Sequence, residues 1–89
     1  MPMAIGNPDE LMNFANGLEQ YLRTLDEETG KLSAAFETLG ESWRDEKRVQ
    51  FEETYHQLLS ALSAFRQNSS EQIPYLRVLA EDLRSYLSR

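Results

Sequence analysis

The sequence has no cysteine in its 89 residues, which removes disulfides, thiolate metal ligands and cysteine nucleophiles together. It has a single histidine, His56. That residue lacks a recognisable orienting neighbour, so the serines and threonines have no base to activate them. Only four glycines are present, and they are scattered, so no glycine-rich phosphate loop exists. No run of 18 apolar residues occurs, which leaves no membrane-spanning candidate, and Met1 to Gly6 is too short and too uncharged for a secretory signal. Basic residues are few and unclustered, nine against fifteen acids, so the positive face that displaces counterions from nucleic-acid phosphates is missing. These absences together exclude the usual routes to catalysis and to nucleic-acid binding, and the expected class is a non-enzymatic protein.

What is present is apolar residues at helical spacing, 40% of the chain, beside 27% charge, the composition of an ordinary soluble globular protein. One domain of this size buries only about 60 to 65% of the surface its unfolded chain exposes. With no disulfide available, a partner chain becomes the first means of adding to its core. The net charge of -6 is unevenly held. Residues 1–45 carry nine acids against Arg23, Lys31 and Arg44, while the remainder balances six acids with six bases.

Asn7-Pro8-Asp9-Glu10 reads as a helix start: a capping side chain, proline where its missing N–H costs nothing, then acids at the positive helix end. From there Leu11, Leu18, Leu25, Leu32 and Leu39 recur every seven residues, with Phe14, Ala15, Tyr21, Leu22, Ala35 and Phe36 between them. The phase of the leucines is the same on both sides of Glu28-Thr29-Gly30, which predicts one helix over 8–39 in spite of the glycine. Gly40 is expected to close it in the left-handed conformation. Residues 40–45 form a turn around Trp43, and Ser42 or Asp45 can cap the next helix, with Glu46 in its first turn.

The second stripe runs Phe51, Tyr55, Leu58, Leu62, Phe65, Ser69, Gln72, Leu76, Leu79, Leu83 and Tyr86 without losing its three-four alternation, widened by Leu59, Ile73, Ala80 and Leu87. It predicts one helix over 46–87, kinked near Pro74, where a hydrogen bond is lost. The competing arrangement ends this helix at Asn68 and starts a third at Ser70, folding 74–87 back as a three-helix monomer. The expected fold is therefore all-α: an antiparallel hairpin of two long helices in a single domain spanning 1–89. Counting equal distances from the turn sets Phe36 near Val49, Leu25 near Ser60 and Leu11 near Pro74. Residues past Leu76 would then project roughly 15 to 20 Å beyond the first helix. Leu76, Leu79, Leu83, Tyr86 and Leu87 would form an interface with another subunit, and a single layer of two helices would need a second to complete a four-helix bundle.

Leu39, Trp43, Phe51 eight residues after the tryptophan and Tyr55 twelve after it, in a chain with helices on both sides of the turn, resemble the WXG-type family. These are the early-secreted-antigen-like helical hairpins associated with type VII secretion, and the resemblance covers nearly the whole chain. In Trp43-Arg44-Asp45 an aspartate stands where the family has glycine, so the turn is expected to use aspartate capping. No tyrosine is followed by an acid four residues later, the export signal the family or its heterodimer partner often carries. The resemblance implies a protein that acts as a homodimer or with a paralogous WXG-like chain, as a secreted substrate or accessory factor, in contact with secretion machinery. The expected location is cytoplasmic, with any export proceeding without a cleavable signal peptide. The alternative is a cytosolic adaptor or chaperone that holds a partner helix in an apolar groove.

Candidate sites have plain structural readings beside them. Trp43 and Arg44 at the hairpin tip either anchor a partner, as these residue types do at binding hot spots, or Trp43 closes the end of the bundle over Leu39 and Phe51. Glu53-Thr54-Tyr55-His56 has the Glu-x-x-His spacing of di-iron bundles, but both residues fall off the apolar stripe and should face water. Asp26-Glu27-Glu28 points in three directions on a helix and cannot converge on one ion. No metal or cofactor is expected. Ser69 and Gln72 inside the second stripe either set register and partner choice, as polar residues in coiled coils do, or mark the kink.

Overall fold

The computed structural model describes residues 6–88; of the segment weighed as a secretory signal, all but Gly6 lies outside them. Two helices, α1 (Pro8–Leu39) and α2 (Glu46–Leu87), make up almost all of it. Asn7 caps α1, its side-chain oxygen accepting from the N–H groups of Asp9 at 2.8 Å and Glu10 at 3.3 Å. Gly6 precedes the cap at φ +81°, a left-handed conformation that glycine adopts without steric cost. α1 passes through Gly30 without a break, and α2 passes through Pro74. Pro74 and Ser70 are both exposed, so the carbonyl that loses its intrahelical partner lies on the watered side. The third helix of the competing arrangement is not formed.

The closing of α1 differs from expectation. Gly40 is right-handed, with φ −62° and ψ −16°. The chain keeps tightening past the helix end, with the N–H groups of Glu41, Ser42 and Trp43 donating to Thr38 and Leu39 carbonyls, so no left-handed residue is needed to satisfy them. Glycine serves there for another reason. A side chain on residue 40 would run into the guanidinium of Arg48.

The helices are antiparallel, and the register also differs from equal counting. Phe36 packs on Phe51 and Tyr55, with ring centroids 5.9 and 4.8 Å away. The Ser33 and Tyr55 hydroxyls share a hydrogen bond of 2.8 Å, and Leu11 lines one cleft with Leu79 and Leu83. In each pair the α2 residue comes from nearer the open end than the count predicted. Side chains lean toward the N-terminus of their own helix, and in an antiparallel pair the two leans oppose each other, which shifts the contacts in this direction.

α2 is ten residues longer than α1, 42 against 32, about 15 Å at 1.5 Å per residue, yet side chains of its last turns reach back to α1. Arg84 reaches Asp9 in the first turn of α1 at 2.7 Å, and a Leu83 methyl lies 3.9 Å from where a Cβ on Gly6 would be. Only residues 85–87 of α2 follow that last interhelical pair. Leu76 and Leu83, expected in an interface with another subunit, are half-buried against α1, while Leu79, Tyr86 and Leu87 are exposed.

Three ion pairs cross between the helices. Arg66 Nε donates to both Asp26 carboxylate oxygens at 2.6 and 2.8 Å. Arg77 donates to Glu19 at 3.1 Å and to the Asn16 side-chain oxygen at 3.0 Å, and Arg84 pairs with Asp9. In every case the acid is on α1 and the base on α2, which accounts for part of the charge imbalance between the two halves of the sequence.

Among the described residues the buried apolar set is Ala15, Leu22, Tyr55, Ile73 and Ala80, a single file along the helix seam. The molecule measures 66 × 22 × 16 Å with a radius of gyration of 19.9 Å, against about 12 Å for a compact domain of this length. It is one layer thick.

The hydrogen bond and positive charge of Arg77 hold the Glu19 carboxyl below its ordinary pKa. A carboxyl whose folded pKa is depressed contributes stability above the unfolded value, about 4.3, and loses it as pH falls through the folded value. The thermal midpoint of the wild type should therefore drop more steeply than that of Glu19→Gln as the pH is lowered from 6 to 3. Parallel pH profiles would show that the pairing contributes nothing.

Candidate functional site

The two helices leave a two-faced hairpin. On one face lie the three ion pairs. On the other lie large apolar side chains that their own chain does not cover: Phe14, Tyr21, Leu32 and Leu39 on α1, and Phe51, Leu58, Phe65, Leu79 and Tyr86 on α2, between 37% and 64% exposed. Helix rotation separates the two sets. On α2 the arginines 66, 77 and 84 fall to one side of the Tyr55–Ile73–Ala80 line and the exposed apolar residues to the other, and the same division holds on α1. The edge-to-face contact of Tyr21 with Phe65 at 6.4 Å bridges the helices on the apolar side.

Near the turn, Leu32, Ala35, Leu39, Phe51 and Leu58 surround a groove of about 310 Å3 over Phe36 and Tyr55. The aromatic rings are stacked in series. Phe51 lies parallel to Tyr55 at 6.4 Å, tilts against Phe36, and carries Trp43 on its far side at 6.0 Å. The guanidinium of Arg48 sits 5.3 Å from the centre of the Phe36 ring, an attraction of about 0.5–1 kcal/mol or more for a cation over an aromatic face. Arg48 Nε is buried without a hydrogen-bond partner. α1 has no basic residue in its own last turn. Arg44, whose Nε donates to the Gly40 carbonyl at 3.3 Å, and Arg48 place positive charge at that negative helix end instead.

Asp45 organises the turn. One carboxylate oxygen accepts three hydrogen bonds: from the Trp43 indole N–H at 2.9 Å and from the backbone N–H groups of Lys47 and Arg48 at 3.0 and 3.1 Å. Asp45 thus caps α2 and holds the indole in one orientation. Ser42 is not the cap; its hydroxyl donates to the Leu39 carbonyl at 3.3 Å. Trp43 is half-buried against Phe51 and Arg44 is exposed.

Glu53 and His56 are both exposed. Asp26 is engaged by Arg66, and Glu28 by Lys31 at 3.4 Å. Among the described residues, no group of three histidine, aspartate or glutamate side chains gathers where a metal ion could sit, and no helix is long and apolar enough to cross a membrane.

Three features escaped the sequence reading: the ion-pair ladder, the Ser33–Tyr55 hydrogen bond and the Arg48–Phe36 stack. The ladder had a signal, since Arg66, Arg77 and Arg84 keep to one side of α2 and Asp9, Glu19 and Asp26 recur on α1 at similar intervals. The division of the second stripe had one too. Tyr55, Leu62, Ser69, Leu76 and Leu83 form one heptad series and Phe51, Leu58, Phe65, Gln72, Leu79 and Tyr86 another; the first faces α1, the second does not.

Comparison of the chain with protein-family models, with curated proteins and with solved structures finds no match in any of the three. The WXG-type resemblance therefore rests on the turn residues and the hairpin alone.

Replacing Asp45 separates its two jobs. Asp45→Ala should destabilise the protein by about 1 kcal/mol, within 0.5–2, through the lost cap, whereas Asp45→Gly should cost only a few tenths. Both should release the indole and change Trp43 fluorescence, the only tryptophan signal in the chain. An unchanged emission spectrum in both variants would show that Asp45 does not hold the ring.

Proposed function

We propose that this chain is a non-enzymatic interaction protein that works as a dimer of hairpins in a four-helix bundle. Its proposed setting is that of a WXG-like substrate or accessory factor of a bacterial type VII-like secretion system. The observation that carries the dimer is the row of half-exposed large apolar residues along one face of a molecule 16 Å thick. Isolated exposed leucines are common on protein surfaces, but a contiguous apolar face rimmed by polar residues marks an interaction site. The secretion setting is supported by the resemblance at Leu39, Trp43, Phe51 and Tyr55, and by the capped tryptophan turn between two long helices.

The groove near the turn favours a second reading. Its size, and its lining of Leu32, Ala35, Leu39, Phe51 and Leu58, suit the apolar side of a partner helix, as an adaptor or chaperone would hold it. The two readings differ in where the protein is found. Immunoblots of culture medium against lysate, with a cytosolic control, should show the chain in the medium if it is a secretion substrate; strictly cell-bound protein favours the adaptor.

Light scattering coupled to size exclusion tests the dimer. The wild type should run at twice the chain mass of 10.3 kDa at micromolar concentration. Leu58→Glu, which places a charge in the middle of the exposed face without touching the α1–α2 seam, should run as a monomer with unchanged helical circular dichroism. A wild type that stays at the mass of one chain overturns the proposal.

A further inference from the structure

We infer that the apolar face is filled by a second copy of this chain lying antiparallel, α2 against α2, and that Asn68 and Gln72 are the layer that fixes its register. This inference rests on the dimer proposed above.

The surface to be covered has the right extent for a second copy. Phe14, Tyr21, Phe51, Phe65 and Tyr86 are each about half exposed, and aromatic side chains offer about 150–250 Å2 apiece. With the exposed leucines this leaves roughly 800 Å2 per chain, the share each partner contributes to a stable complex of standard size.

The outward side of α2 is also patterned as a coiled-coil seam. Phe51, Leu58, Phe65, Gln72, Leu79 and Tyr86 are seven residues apart, and Thr54, Ala61, Asn68, Tyr75 and Asp82 stand three after each in turn; all are exposed. A heptad pattern sustained over five repeats on a helix already packed by a separate heptad series is what a further helix requires. From Gln50 to Leu79 the seam carries no charge. Glu52, Glu53, His56, Arg66, Glu71 and Arg77 all fall elsewhere around the helix. Asp82, the one charge in the series, lies one turn from its end, within reach of water.

The seam complements itself in one register. With the two-fold axis passing at the level of Ser70, Asn68 meets the second copy's Gln72, Phe65 meets its Tyr75, Ala61 its Leu79 and Thr54 its Tyr86, while Leu58 meets its Asp82 near the end of the helix. Apart from that last pair, amides pair with amides, rings with rings, and small residues with large ones, as a well-filled core demands. Sliding by one heptad sets Asn68 against Phe65 and Gln72 against Ala61, burying four amides without partners. Parallel copies would stack Phe65 on itself and Ala61 on itself, wasting the volume match, and would bring Asp82 against Asp82. The antiparallel arrangement also places the turn end of each copy beside the open end of the other. The groove at Phe51 and Leu58 and the bare Tyr86 and Leu87 then cover one another.

Because the chain has no cysteine of its own, single-cysteine variants test the arrangement cleanly. Ala61→Cys and Leu79→Cys, each first shown by light scattering to remain dimeric, are mixed in equal amounts, allowed to exchange and then oxidised. The mixed 61–79 disulfide should form several-fold faster than either self-linked product, since two copies of residue 61 lie roughly 27 Å apart in this register. Self-linked Ala61→Cys as the main product overturns the orientation, and dimers that give no cross-link overturn the seam. A wild type that scatters as a monomer overturns the dimer itself, a different failure. In the double variant Asn68→Leu/Gln72→Leu, the dimer should persist while the 61–79 link loses its lead, since copies slid by one heptad set residue 61 against residue 72 or 86 instead. Unchanged selectivity there overturns the role of the polar layer.

Discussion

Two helices lying side by side share a single line of contact, and this limit governs everything else about the molecule. Each helix can offer its neighbour little more than one stripe of side chains. Both helices here carry apolar residues across a wider arc than that. The seam takes Ala15, Leu22, Tyr55, Ile73 and Ala80 out of water, two of them alanines whose small size brings the backbones close. What remains apolar lies on the open faces, and most of the large side chains, Phe14, Tyr21, Phe51, Leu58 and Phe65 among them, fall on the same one, with Val49 and Val78 elsewhere around α2. The opposite face carries the arginines and carboxylates that pair across the helices. A hairpin with both faces apolar would aggregate, and one with both polar would have too little buried surface to hold its own helices together.

The interhelical ion pairs are better understood as a register device than as a source of stability. Exposed pairs of this kind contribute about 0–1 kcal/mol each in water, because side-chain entropy and solvent screening offset the Coulomb gain. The side chains of Arg66, Arg77 and Arg84 are between 35% and 51% exposed, well within that regime. The three pairs, Arg66 with Asp26, Arg77 with Glu19 and Arg84 with Asp9, belong to one alignment of the helices, and a slip of one turn would forfeit all three at once. The hydrophobic seam alone discriminates poorly among such slips, since a three-four repeat looks much the same after each turn. The excess of acid in the first half of the sequence is thus the visible trace of a contact made with the second half.

Much of the fold was legible from local chemistry. The start of α1 followed from Asn7 and Pro8, the start of α2 from Asp45, and the continuity of both helices from an apolar phase that neither Gly30 nor Pro74 disturbs. Register was not legible, because equal counting from the turn treats side chains as perpendicular to the helix, whereas they lean, and long ones such as Arg84 lean by most of a turn. That single omission set Leu76 and Leu83 beyond the cover of their own chain, whereas both are half-buried against α1. Gly40 misled for a related reason: its residue type suggested a left-handed stop, but the space it leaves is needed by Arg48, a contact no local rule could supply. The candidate face was half legible. A wide stripe announced surplus apolar surface and its two heptad series are visible in the sequence, but only the structure shows that the Tyr55 series, and not the Phe51 series, faces α1.

The turn joins a helix cap to the aromatic row through one side chain. Asp45 contributes a carboxylate that satisfies two orphan N–H groups at the start of α2 and the indole N–H of Trp43 with the same oxygen. The indole is then fixed against Phe51, the first ring of the row that lines the groove, while Arg48 from the opening turn of α2 covers Phe36 from the other side. Because one carboxylate links the helix cap to the aromatic row, the shape of the groove depends on the cap. A partner that fits the groove is therefore selecting a turn already set by Asp45, and little ordering of the protein is left to oppose its binding.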